Sequence, residues 1–109
     1  PDESGHEGNV KHKLQAIEDF DKKVVGPVVE ELTQKYDHRI IVMPDHPTPC
    51  STMTHTDDPV PFIFYDSNKR ESGFLRAENQ TYSEKSAKES ANFIEDGYLI
   101  MDLLINGQL

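Results

Sequence analysis

Arg39-Ile40-Ile41-Val42-Met43 and Val60-Pro61-Phe62-Ile63-Phe64-Tyr65 carry short apolar runs with no polar residue interleaved. A strand with one wet face alternates apolar and polar side chains. A run that is apolar throughout reads instead as a strand covered on both faces, as in a parallel sheet. Pro44 closes the first run, and Pro61 stands near the start of the second, where a missing N–H is tolerated. Two such strands do not make a stable sheet alone. The rest of the sheet is therefore expected from chain outside these 109 residues.

Helical patterns flank the strands, which makes the fold class α/β. Residues 1 to 8 read as a loop, and Asn9 is a good N-cap for a helix. From there Val10, Leu14, Ile17, Phe20, Val24, Val28 and Leu32 recur at steps of three and four, an amphipathic helix ending near Lys35 or Tyr36. Pro27 lacks an N–H and crowds the preceding turn, so a kink or break is expected at Gly26-Pro27. Residues 44 to 59 form a polar loop, and residues 66 to 79 an exposed excursion, with a turn or hairpin tip at 67 to 73. Ser83 or Thr81 caps a further helix that turns Ala87, Ala91 and Phe93 or Ile94 inward. Tyr98 to Ile105 is an apolar closing helix, stopped near Gly107 and most simply core.

The chain has 20 acidic and 11 basic residues and a net charge of −9. Such a surface repels phosphate backbones and anionic lipid, which argues against nucleic-acid or membrane partners. No apolar run reaches the roughly 18 residues a span needs. The single cysteine, Cys50, excludes an internal disulfide and fits a reducing cytoplasm. Hydrophobic residues make up 35% of the chain, low for a self-sufficient domain. The first residues already sit inside a dense motif, Pro1-Asp2-Glu3-Ser4-Gly5-His6-Glu7-Gly8. Termini are usually undemanding, so a cut or truncated fragment of one domain is expected, with exposed sheet edges and a tendency to self-associate.

Chemistry concentrates in loops beside the regular elements: Asp2 with His6, then Asp45-His46, then His55. Asp45-His46 follows a strand, at the edge where open α/β sheets bind ligands, and His55 precedes the next strand. Imidazole and carboxylate together suit Zn²⁺ or Mn²⁺. Two aspartates and three histidines exceed one catalytic site with an open position. They suit a two-metal centre that clamps the oxygens of a phosphoryl displacement. Taken singly, each is more often a cap or a surface group than a ligand.

The strings P-D-E-S-G-H-E-G, P-D-H-P-T-P-C and T-H-T-D-D-P-V-P-F resemble motifs of the alkaline phosphatase superfamily. The nearest likeness is to the archaeal-type 2,3-bisphosphoglycerate-independent (cofactor-independent) phosphoglycerate mutases. I-E-D-F-D-K-K-V-V-G-P and Y-S-E-K-S-A-K-E-S are also similar to that branch, so the likeness covers nearly the whole chain. It implies the C-terminal part of a three-layer α/β/α, mostly parallel phosphatase-like domain. It implies that Asp2, His6 and His55 hold one ion and Asp45 and His46 the other. The expected metals are two divalent ions, Mn²⁺ first, then Zn²⁺ or Mg²⁺, with no 2,3-bisphosphoglycerate. In the family a further Asp ligand and the Ser nucleophile lie near the protein's start, so no catalytic nucleophile is expected in this chain, and the inserted substrate domain is absent too. The implied reaction interconverts 3-phosphoglycerate and 2-phosphoglycerate through a phosphoserine, with the fragment alone inactive.

Two other readings stand beside this one: a related enzyme of phosphonopyruvate decarboxylase-like or proposed homoserine kinase type, and a non-catalytic metal-binding module. Glu7, Thr48 and Thr56 are candidates for hydrogen-bonding the ligands from behind. Thr54 shares that choice between ligand support and turn. His12 shares a helix face with charged residues and reads as solvated, and His38 as a turn residue. Cys50 reads as a small packed residue, Asp57 and Asp58 as loop caps.

Overall fold

The structure is a computed structural model that describes residues 1–68 and 81–109. It divides into two compact units. The first comprises residues 1–36 and 45–59, the second residues 37–44 and 60–109.

The first unit begins with a single helical turn, α1 (Asp2–His6), where a loop is expected. The Gly5 N–H reaches the Pro1 carbonyl at 2.9 Å and closes the turn. Helix α2 (Val10–Phe20) starts at Asn9, whose side-chain oxygen accepts from the His12 N–H at 3.0 Å. That is the expected cap, and it satisfies a donor the helix itself leaves orphaned. A π-helical turn spans Asp21–Val25, and α3 (Gly26–Lys35) follows with Pro27 in its first turn. The expected interruption at Gly26-Pro27 takes this form. The Gly26 N–H bonds the Asp21 carbonyl, and the widened turn makes room for a ring that would crowd a regular one. The helical path then continues to Lys35, the expected end.

The apolar stripe of this helix exists, but it faces solvent. Val10, Leu14, Ile17, Phe20, Val24 and Val28 are all exposed. Residues 45 to 59 fold into a loop of tight turns. The Thr52 and Met53 N–H groups both reach the Pro49 carbonyl, and the Thr56 N–H reaches that of Pro47 at 3.2 Å.

In the second unit, β1 (Arg39–Val42) and β2 (Ile63–Asp66) form a two-stranded antiparallel ladder. Strands covered on both faces, as in a parallel sheet, are expected; these two instead pair antiparallel and are covered only in part. Every residue of β1 is half-buried, and β2 alternates, with Phe64 and Asp66 buried and Ile63 exposed. A four-residue apolar run does not distinguish a sheet interior from an edge. Among the described residues, the buried hydrophobic side chains are Phe64 and Leu103. Helix α4 (Glu84–Glu89) is capped by the Ser83 side chain, as expected. Of the residues expected inward, Ala87 and Ile94 are half-buried, whereas Ala91 and Phe93, beyond the end of the helix, are exposed.

A 3₁₀ turn (Gly97–Leu99) leads into α5 (Ile100–Asn106). The chain leaves α5 at Gly107 with φ 76°, a left-handed conformation natural to glycine at a helix end. Arg39 packs there. Its guanidinium donates to the Ile105 carbonyl at 2.6 Å, and its Nε to Asp66 at 2.8 Å. Arg39 and Asp66 are also register partners across the ladder. The expected excursion at 66 to 79 lies largely outside the described residues. Among those described, no helix is long and apolar enough to cross a membrane.

Candidate metal centre

All five candidate ligands lie in the first unit. The α1 turn sets Asp2 and His6 four residues apart on one face, which brings His6 Nε2 to 3.4 Å from Asp2 Oδ1. The turns of the 45–59 loop return His55 to the same carboxylate. Its Nε2 lies 3.4 Å from Asp2 Oδ1 and 3.1 Å from His6 Nε2. These three atoms form a nearly equilateral triangle. Ligands bound at about 2.1 Å around a tetrahedral ion stand about 3.4 Å apart, and somewhat closer around an octahedral one. The triangle therefore has the size of one face of a coordination shell.

The protons fit the same reading. His6 Nδ1 lies 3.0 Å from the Met53 carbonyl, to which it can only donate. That fixes the tautomer and leaves a lone pair on Nε2, the atom that faces Asp2 and His55. Met53 has φ 55°, an uncommon conformation for a residue with a side chain. The loop thus adopts a costly backbone shape at the residue whose carbonyl orients the histidine.

Asp45 and His46 stand beside this triangle. His46 Nε2 is 3.3 Å from Asp45 Oδ2, and the His46 N–H donates to Asp45 Oδ1 at 3.0 Å. The His46 ring stacks on His55 with centroids 3.5 Å apart. Asp2, His46 and His55 each bring a ligand atom within 4.8 Å of the others. Asp2 is thus the hub on which both groups of ligands converge.

Thr48, one of the expected supports, lies directly behind the ligands. Its hydroxyl donates to Asp2 Oδ1 at 2.7 Å and lies 3.2 Å from His46 Nδ1. This hydrogen bond is the main reason the Asp2 carboxyl is held below its ordinary range. The positive potential of His6, His55 and His46 adds to the effect, and partial desolvation opposes it. Asp2 therefore keeps its negative charge to a lower pH than an ordinary aspartate, and its contribution as an anionic group is lost as the pH falls through that lowered value.

The other two expected supports are placed differently. The Thr56 hydroxyl donates to Asp58 at 2.9 Å and serves the loop. The Met53 carbonyl, not Glu7, takes the His6 Nδ1–H. Cys50 Sγ approaches the Ser4 carbonyl at 3.9 Å, a packing contact in keeping with its expected role. His12 pairs with Asn9 at the helix start, and His38 lies at the strand start, where its backbone N–H donates to Ser67 Oγ at 2.9 Å.

Gly5 and Lys13 support the site and escape a reading of the sequence. A Cβ on Gly5 would stand 2.2 Å from the Thr48 carbonyl oxygen, so only glycine allows this approach. The same carbonyl accepts from Lys13 Nζ. A backbone carbonyl has no signature in sequence. The only available signal was a glycine lodged between two ligands in Asp2-Glu3-Ser4-Gly5-His6.

The donor set is imidazole and carboxylate. A divalent cation fits that set, and borderline ions such as Mn²⁺ or Zn²⁺ suit its mixture of nitrogen and oxygen. The comparisons agree with this chemistry. A profile of the Metalloenzyme superfamily matches residues 1–96. The chain is 42% identical over 106 residues to a probable 2,3-bisphosphoglycerate-independent phosphoglycerate mutase of Geobacter sulfurreducens, covering 97% of this chain and 26% of that protein. It is 44% identical over 92 residues to a 2,3-bisphosphoglycerate-independent phosphoglycerate mutase of Methanosarcina mazei, covering 84% and 22%. A third such mutase, of Methanothrix thermoacetophila, is 39% identical over 108 residues, covering 98% and 26%. The chain spans about a quarter of the length of these relatives. No solved structure matches it.

Proposed function

The chain belongs to the Metalloenzyme superfamily, and from that premise we propose that it supplies the metal-binding loops of a cofactor-independent phosphoglycerate mutase. The observation that carries the proposal is the triangle of Asp2 Oδ1, His6 Nε2 and His55 Nε2, with edges of 3.1 to 3.4 Å. These three residues would hold one divalent ion, and Asp45 and His46 part of the shell of a second. The similarity to proteins named as phosphoglycerate mutases supports the reaction class. It favours that class over decarboxylase-like or kinase-like relatives of the superfamily.

In the proposed reaction, 3-phosphoglycerate gives its phosphoryl group to a serine that this chain does not supply, and receives it back at the 2-position. Bound divalent ions would neutralise the transferring phosphoryl group and lower the pKa of the attacking hydroxyl. The residues of this chain fix where that charge is neutralised. Asp2 brings a carboxylate that stays ionised, and His6 brings an Nε2 lone pair secured by the Met53 carbonyl. The exposed stripe from Val10 to Val28 is the face against which the remainder of such an enzyme would pack.

The test is a phosphomutase assay with 3-phosphoglycerate and Mn²⁺, run on a longer protein containing this sequence and on the 109 residues alone. The longer protein is expected to form 2-phosphoglycerate and the 109 residues to form none. Activity from the 109 residues would overturn the reading of an incomplete site. A longer protein that binds metal but leaves 3-phosphoglycerate unchanged would overturn the substrate.

A further inference from the structure

Thr48 is 5% exposed, in a site whose ligands Asp2, His6, Asp45 and His55 are all exposed. A threonine hydroxyl has one proton to give. Here it goes to Asp2 Oδ1 at 2.7 Å. The oxygen can then meet His46 Nδ1, 3.2 Å away, only as an acceptor. So His46 carries a proton on Nδ1, and Nε2, which lies 3.3 Å from Asp45 Oδ2, is the ring nitrogen left to bind an ion.

We propose that Thr48 is the positioning residue that joins the two halves of the metal centre, presenting Asp2 to one ion and selecting the His46 tautomer for the other. This rests on the two-ion reading above. One hydrogen-bond chain runs from His46 Nδ1–H through Thr48 Oγ1–H to Asp2, so the two ligand groups share a single orienting hydroxyl. The backbone holds that hydroxyl in place. The Thr48 carbonyl is packed against Gly5 and bonded to Lys13 Nζ, which ties the 45–59 loop to α1 and α2. Ligand-orienting partners of this kind typically change metal affinity by about 10- to 100-fold.

Two readouts on the 109-residue chain test this. The first is Mn²⁺ affinity by titration calorimetry. The second is the ¹⁵N shifts of the His46 ring without metal, which report the tautomer directly. Thr48→Val keeps the shape and removes the hydroxyl. It is expected to weaken Mn²⁺ binding about 10- to 100-fold and to release His46 from the Nδ1–H form. Thr48→Ser restores the hydroxyl and is expected to return both readouts to within a few-fold of the parent. Thr48→Ala is a second hydroxyl-free variant should valine disturb packing against Gly5.

If Thr48→Val keeps both the Nδ1–H tautomer and the parent affinity, the proposal is wrong. It is equally wrong if Thr48→Ser loses as much as Thr48→Val, because packing would then be the cause. Failure of the parent chain to bind Mn²⁺ would count against the metal reading, while the tautomer still decides the role of Thr48.

Discussion

Asp2 and Asp66 each sit at the centre of a polar cluster, one in each unit, and the clusters are built to opposite ends. The Asp66 side chain is 2% exposed and is neutralised from within. Arg39 Nε donates to it at 2.8 Å, and the Asn68 N–H donates at 2.9 Å. The same guanidinium bonds the Ile105 carbonyl at the negative end of α5. The Asp2 side chain is 53% exposed, and its ion-pair partners are the imidazoles of His6 and His55. Around Asp66 a permanent cation is built into the chain. Around Asp2 the chain supplies imidazole and carboxylate groups, a donor set that fits a divalent cation from solution. The first arrangement holds a fold together; the second is the candidate metal centre.

This contrast can be broken by four experiments, in falling order of effect. Arg39→Ala removes the guanidinium paired with the buried Asp66 carboxylate, and breaking a buried ion pair typically costs about 3 to 5 kcal/mol. A denaturant melt should show the loss, and Mn²⁺ affinity below the transition should be unchanged. Mn²⁺ at about a hundred times its dissociation constant should stabilise the folded chain by about 2.7 kcal/mol. That gain should vanish in Asp2→Asn and persist in a chain altered only at Asp66. Gly5→Ala forces a methyl group onto the Thr48 carbonyl, so a loss of about 1 to 3 kcal/mol is expected. Calorimetry should show weaker Mn²⁺ binding in the same variant. Asn9→Ala removes the α2 cap and should cost about 1 kcal/mol in the melt. A Mn²⁺ affinity that fell in Arg39→Ala as far as in Asp2→Asn would erase the distinction between the clusters.

The two clusters also differed in how far they could be read in advance. Asp2, His6, Asp45, His46 and His55 are conspicuous because aspartate and histidine are the residues that bind such metals, and they recur in loops. The structure brings Asp2, His6, His46 and His55 together, with Asp45 against His46, and the family match supports the chemistry. The Arg39–Asp66 clamp was not legible. It depends on antiparallel register, which pairs Arg39 with Asp66. Ile40-Ile41-Val42-Met43 and Phe62-Ile63-Phe64-Tyr65 carry apolar character but no direction. Parallel and antiparallel pairing look alike in runs so short.

The long helix was legible from its spacing and its Asn9 cap. The form of its interruption before Pro27 was not, because a π turn has no sequence code of its own. Nor did the stripe from Val10 to Val28 reveal that it would be exposed. Periodicity marks a face that favours burial, and says nothing about what covers it. The helical turn at Asp2–His6 was missed because Gly5 within it and Gly8 just after it read as loop. That turn is nevertheless what aims both ligands at one point.

Pulsed electron paramagnetic resonance of the chain loaded with one equivalent of Mn²⁺ tests the central claim most directly, because it detects nitrogen bound to the ion. Coupling to the imidazole nitrogens of His6 and His55 is predicted, with one set lost in His6→Ala and the other in His55→Ala. Bound Mn²⁺ with no nitrogen coupling, or with coupling that survives both substitutions, would contradict the account.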